Sequence, residues 1–205
     1  FRPEDPGMKP IFHMLADYNI PADMGHADGI VTISVTEADH VVRVTRKEDL
    51  REPFRTMIGH LRHELAHMLW WRLSLRKDFL TAFRKMFGDE RPDYDEALER
   101  YYEQGPPADW EQFYLTRYAS AHPHEDWADT AAHLMHLTDI ADSFVASGLT
   151  SPELPSHKWD PYAEPDTARL IRVATSLVSG INHVNRSVGL ADVYPFTISE
   201  TAHRK

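Results

Sequence analysis

The sequence predicts an α+β chain that is mostly helical, with a small sheet near its N-terminus. Three observations carry this. After residue 53 apolar side chains recur at steps of three and four, the helical period. Ile30-Val31-Thr32-Ile33-Ser34-Val35 is β-branched with apolar alternation, the clearest strand signal in the chain. Glycines stand where the helical stretches should stop, at Gly88, Gly105, Gly148 and Gly189.

In chain order, residues 1–28 are rich in Pro, Gly and Asp and read as an irregular, surface-hugging arm. A boundary is expected near residue 24. Residues 25–205 then form a single domain with an N-lobe of about 25–75 and a helical C-lobe of about 76–205. Val41-Val42-Arg43-Val44 fits a second strand or a helix start. Pro53 fits the opening of a helix. Phe54, Met57, Ile58, Leu61, Leu65, Met68, Leu69 and Leu73 continue that helix to about Leu75. Phe79–Phe87 and Tyr94–Gln104 read as short helices, and Asp109 to about Ser120 as another. Pro123 opens a long helix through about Ser147. Residues 149–165, rich in proline, form a loop. The last long helix runs from Pro165 to about Val188.

Composition narrows the function. Of 205 residues 42% are hydrophobic, enough for a sizeable core. The net charge is −10, from 32 acidic and 22 basic residues. No nucleic-acid partner is expected, because phosphate binding needs a basic footprint. No run approaches the length of a membrane-spanning helix, so no membrane partner is expected either. The chain has no cysteine, which excludes disulfides, thiolate metal sites and a cysteine nucleophile. The same absence fits a reducing compartment, and a cytoplasmic location is the expectation. The oligomeric state is not legible. Thirteen histidines direct attention to metal ligands.

His63-Glu64-Leu65-Ala66-His67 lies inside the first predicted long helix. Histidines four apart stack on one helical face, about 6 Å apart. Two neutral imidazoles so placed can share one tetrahedral zinc ion. Glu64 projects beside the metal, where it can take a proton from the zinc-bound water. Chance supplies this pattern only about 0.05 times in a chain of this composition. A helix with two merely packed histidines is the bland alternative.

Such a site needs a third protein ligand, with the fourth position open to water. The best candidate is Glu125, in His122-Pro123-His124-Glu125-Asp126-Trp127-Ala128-Asp129. Asp126, His122 and His124 are the alternatives. Asp129, four residues past Glu125, can accept a hydrogen bond from a ligand histidine and fix its tautomer. Acidic residues in a first helical turn also favour the macrodipole without any metal. That explains Glu125 and Asp126 better than Asp129. His133 and His136 lie about 12 Å or more along the axis from Glu125, too far for the same ion. They read as packed or supporting histidines.

His63-Glu64-x-x-His67 with Glu125-x-x-x-Asp129 resembles the gluzincin pattern of thermolysin-like peptidases. A longer match resembles the zinc-binding metallopeptidases labelled Peptidase Mx. It runs through Gly25-His26-Ala27-Asp28-Gly29, Glu37-Ala38-Asp39, Pro53-Phe54-Arg55-Thr56, Phe87-Gly88-Asp89-Glu90-Arg91 and Gly105-Pro106-Pro107-Ala108-Asp109-Trp110. Ser120-Ala121-His122-Pro123 with Glu125-Asp126-Trp127-Ala128, Asn185-Arg186-Ser187, Asp192 and Tyr194-Pro195-Phe196 complete it. The likeness spans about residues 25–198. His124 and Ala132 stand where relatives are expected to carry aromatic residues. Relatives often carry an N-terminal zinc ribbon; with no cysteine in these 205 residues, it is either lacking or removed.

The resemblance implies a zincin-like fold and one Zn2+ per chain held by His63, His67 and Glu125. It implies Glu64 as general base, Asp129 orienting His63, and a peptide or protein substrate. The strand Ile30–Val35 is expected to present a free edge to an extended peptide. A donor for the developing oxyanion is also required. Tyr194 and Arg186 are the first candidates, with Tyr118 and His183 behind them. Asn182, Asn185, Arg186 and Ser187 either line the cleft or terminate the last helix. The alternative class is a zinc-binding interaction or regulatory module without turnover.

Overall fold

The computed structural model describes residues 9–16, 25–27, 29–39 and 56–205. These residues form a three-stranded sheet, six α-helices and several 3-10 turns. The architecture is therefore mostly helical with a small sheet. No described helix is long and apolar enough to cross a membrane. The chain divides into two compact units. The first runs to Ala132 and includes Ser199–Lys205, and the second is His133–Ile198.

In the first unit, β1 (Ile11–Leu15) and β2 (Gly25–Ala27) flank β3 (Ile30–Ser34). β1 pairs parallel to β3, with Ile11 opposite Ile30, and β2 pairs antiparallel, with His26 opposite Val31. Two expectations change here. The N-terminal arm is not wholly irregular, since β1 lies within it. Its five residues are all exposed, so no apolar alternation marks it, and backbone pairing with β3 holds it. Secondly, the strand at Ile30–Val35 is central in the sheet: β1 pairs along Ile30–Ser34 and β2 along Ile30–Thr32. It ends at Ser34, whose hydroxyl accepts from the Thr36 N–H and opens a 3-10 turn.

Val31 and Ile33 point to one face of β3 and are 0% and 2% exposed. They pack with Met68, Met57 and Leu61 of α1 (Met57–Leu73). The Thr56 hydroxyl caps α1 by accepting from the Gly59 N–H at 2.9 Å, a favourable N-cap arrangement. The predicted Val41–Val44 element and Pro53 lie outside the described residues.

α2 (Lys77–Phe87) and α3 (Tyr94–Gln104) follow. Phe83 and Phe87 stack at 5.1 Å, and Trp70 meets Phe83 edge-on at 5.6 Å. Trp127 inserts among Phe79, Phe83 and Phe87. α3 closes at Gly105 with φ +75° and the next helix at Gly148 with φ +73°, a conformation costly for residues with a Cβ.

The continuous helix expected over residues 109–120 is instead two 3-10 turns, Trp110–Gln112 and Tyr118–Ser120. Thr116 interrupts it. Its hydroxyl oxygen accepts from the Ala119 N–H at 3.0 Å, a cap-like bond that starts a new turn rather than continuing an old one.

α4 (Pro123–Ala146) contains the division between the units. In the second unit, its later residues Leu137 and Ala141 pack with Val173, Ala174, Leu177 and Val178 of α5 (Thr167–Ser187). The loop before α5 contains a 3-10 turn at Pro161–Ala163. A last short helix, α6 (Glu200–His203), returns the chain to the first unit; the sequence pattern gave no sign of it.

Candidate metal centre

α1 places His63 and His67 on successive turns of one face. Their ring centroids are 4.8 Å apart and their Nε2 atoms 3.1 Å apart. α4 begins at Pro123, whose fixed φ suits a first helical turn, and this sets Glu125 opposite the two rings. Glu125 Oε2 lies 3.0 Å from His63 Nε2, and Oε1 lies 3.3 Å from His67 Nε2. One donor atom from each of the three residues lies within 4.8 Å of the others. Trp127 fastens the two helices together: its indole N–H donates to the Ala66 carbonyl at 2.8 Å, between the two histidines.

Asp129, one turn beyond Glu125, meets His63 Nδ1 through Oδ1 at 2.9 Å. Its other oxygen accepts the Thr116 hydroxyl. A carboxylate can only accept, so His63 carries its proton on Nδ1 and, when neutral, aims the Nε2 lone pair at the cluster.

The donor chemistry fits a cation. Two imidazole nitrogens and one carboxylate oxygen converge, the set borderline-soft zinc takes. Burial disfavours a charge on His63, yet hydrogen bonds to Asp129 and Glu125 outweigh it and hold its pKa well above the usual histidine value. Burial likewise raises Glu125, but its bonds to His63 and His67 prevail and hold it well below the usual carboxylate range. Both directions express one fact: the centre of this cluster demands positive charge. Glu64 adds a second sign. It is 7% exposed, and its buried Oε2 has no hydrogen-bond partner among the described residues. An orphaned buried acceptor beside such a cluster is where a water or substrate group belongs. Burial, opposed by His63 and His67, raises its pKa.

Two tyrosines complete the surroundings. Tyr94, the first residue of α3, donates its hydroxyl to Glu125 Oε1 at 2.6 Å. Tyr118 lies near Tyr94 and Glu125, and its ring lies 6.3 Å from that of His63. Burial and the Glu125 charge push both phenols far above their usual range, so both remain donors. Tyr94 and Thr116 escaped the sequence reading. They come from separate elements, and no spacing links them to the histidine motif.

The other ligand candidates are not among the three converging donors. Asp126 faces away from the cluster and pairs with the Lys205 ammonium, which also donates to the Phe113 carbonyl at 2.9 Å. Burial pushes the Asp126 carboxyl up to about 6, against Lys205. His122 accepts from the His124 N–H and turns its other nitrogen to the Pro92 carbonyl. His124 packs on Trp70 at 4.1 Å, and burial lowers its pKa to about 4.

The remaining candidates belong to the second unit, each with its own surroundings. Tyr194 is 2% exposed, and its hydroxyl is 2.7 Å from His133 Nδ1. His136 is buried. Arg186 is exposed and pairs with Asp192, with Nε 2.7 Å from Oδ1. His183 is exposed. Asn182 bonds the Val193 N–H and the Tyr194 carbonyl, Asn185 donates to Ala191, and Ser187 donates to Val184. This polar cluster fastens the end of α5 to the segment that follows it.

No solved structure matches the chain. Curated relatives include Uncharacterized protein Rv2568c of Mycobacterium tuberculosis (strain ATCC 25618 / H37Rv) and Uncharacterized protein Mb2598c of Mycobacterium bovis. Each is 36% identical over 200 residues, covering 96% of this chain and 58% of the relative. The chain thus spans little more than half the length of the curated relatives it matches. Over residues 1–205 the sequence matches a family described as "Putative zinc-binding metallo-peptidase". With that match over its whole length, and with a His, His, Glu cluster able to hold a metal, the chain belongs to this zinc-binding metallo-peptidase family.

Proposed function

We propose that the chain is a zinc-dependent metallopeptidase of gluzincin type, with a zincin-like fold, that hydrolyses peptide bonds. One observation carries the reading: three donors of zinc-ligand chemistry converge beside a buried carboxylate oxygen that lacks a partner. His63, His67 and Glu125 hold the ion. When bound, zinc supplies Lewis acidity, lowering the pKa of a water to about 7 and polarising the scissile carbonyl.

The chain's own residues do the rest. Glu64, buried and raised in pKa, takes the proton of the attacking water and delivers it to the leaving amine. Asp129 keeps His63 in the tautomer that presents Nε2. Tyr118 supplies the hydrogen bond to the developing oxyanion. Its ring lies 6.3 Å from that of His63, within the same unit.

The test combines metal analysis with turnover. Purified protein should contain about one zinc per chain, the content of a three-ligand site. It should hydrolyse a denatured-protein or peptide library, lose activity to a chelator and regain it with zinc. Stoichiometric zinc with no hydrolysis of any peptide would overturn the peptidase reading and leave a binding module. A finer check addresses Asp129. Asp129→Asn should weaken zinc binding by about 10–100-fold, read by chelator competition. Unchanged affinity would remove Asp129 from the site.

A further inference from the structure

A carboxylate ligand brings two oxygens to a metal. Whether one or both bind decides how many positions remain for water and substrate. At Glu125 the two oxygens are not equivalent. Oε2 faces His63 Nε2 at 3.0 Å. Oε1 faces His67 Nε2 at 3.3 Å and in addition receives the Tyr94 hydroxyl at 2.6 Å, a short, charge-assisted bond. The Glu125 side chain is only 1% exposed, so bulk water does not compete for that oxygen. Tyr94 is itself held: Asp93 caps the helix that it begins, accepting from the Glu96 N–H, and its ring meets His122 edge-on at 5.2 Å.

We infer that Tyr94 is a positioning residue that occupies Glu125 Oε1 and so restricts Glu125 to one ligating oxygen. The fourth position at the ion then stays open. The inference rests on the zinc reading of the cluster given above. The bond it assigns is made to the ligand and not to substrate, so its effect shows in metal binding itself.

The test uses Co2+ in place of zinc on the whole chain, because its visible absorption reports coordination number. Wild type should show the intense bands of a four-coordinate ion. Tyr94→Phe removes one oxygen atom and keeps the ring. It should shift the spectrum towards weaker, higher-coordinate bands and lower Zn2+ affinity by about 10-fold, the scale of an outer-partner loss. Tyr118→Phe should keep the wild-type spectrum, because Tyr118 makes no bond to Glu125, while it lowers turnover. A Tyr94→Phe protein with wild-type spectrum and Zn2+ affinity would overturn the inference. So would an equal spectral change in Tyr118→Phe. If wild type binds neither Co2+ nor Zn2+, or His63→Ala binds them equally well, the zinc reading fails instead.

Discussion

Glu64→Gln should keep its zinc and lose its chemistry. The side chain is nearly isosteric, and Glu64 is not among the three converging donors, so metal content should stay at the wild-type level. A neutral amide cannot accept the water's proton. General-base assistance is worth about 10²–10⁴-fold, and kcat should fall on that scale with little change in KM. Metal analysis and steady-state kinetics on a peptide substrate check both halves. A Gln variant with full activity would transfer the base role to another group.

The second large effect separates two neighbours. Glu125→Ala removes a ligand whose side chain is 1% exposed. Zinc affinity should fall by more than about 100-fold, beyond what loss of an outer partner costs. Asp126→Asn, one residue on, should keep zinc at the wild-type level, because its carboxylate pairs with Lys205. Its cost appears in thermal stability. That cost should stay below the roughly 3–5 kcal/mol of a broken buried pair, because the freed Lys205 can return to water. Zinc loss in the Asp126 variant with retention in the Glu125 variant would reverse the ligand assignment.

The parts of the site that a sequence shows are those fixed by helical spacing. His63, Glu64 and His67 share one helix, and Glu125 and Asp129 share another, so the 3.6-residue period places each group without tertiary knowledge. The 62-residue separation of Glu125 from His63 crosses two helices and several turns. Only the residue types and the family likeness suggested that they meet. Tyr94 and Thr116 had neither signal. A tyrosine at a helix start and a threonine in a turn are ordinary packing choices until folding brings them to a ligand.

The fold followed the same rule. Helices ended by Gly105 and Gly148 were readable because positive φ leaves a residue signature. β1 was not, because its five residues are all exposed and carry no periodic pattern. The order β1-β3-β2 also placed the best-marked strand in the centre, where a free edge had been expected. Pairing partners lie in backbone geometry, which the alternation of one strand does not encode.

The distance in sequence between His63 and Glu125 has a thermodynamic consequence. An unfolded chain holds these donors far apart and binds the ion weakly, so a ligand selective for the native state adds RT ln(1 + [L]/Kd) to stability. Each tenfold rise in free zinc above the dissociation constant then adds about 1.4 kcal/mol. On the zinc reading proposed above, the melting temperature becomes a readout of zinc supply.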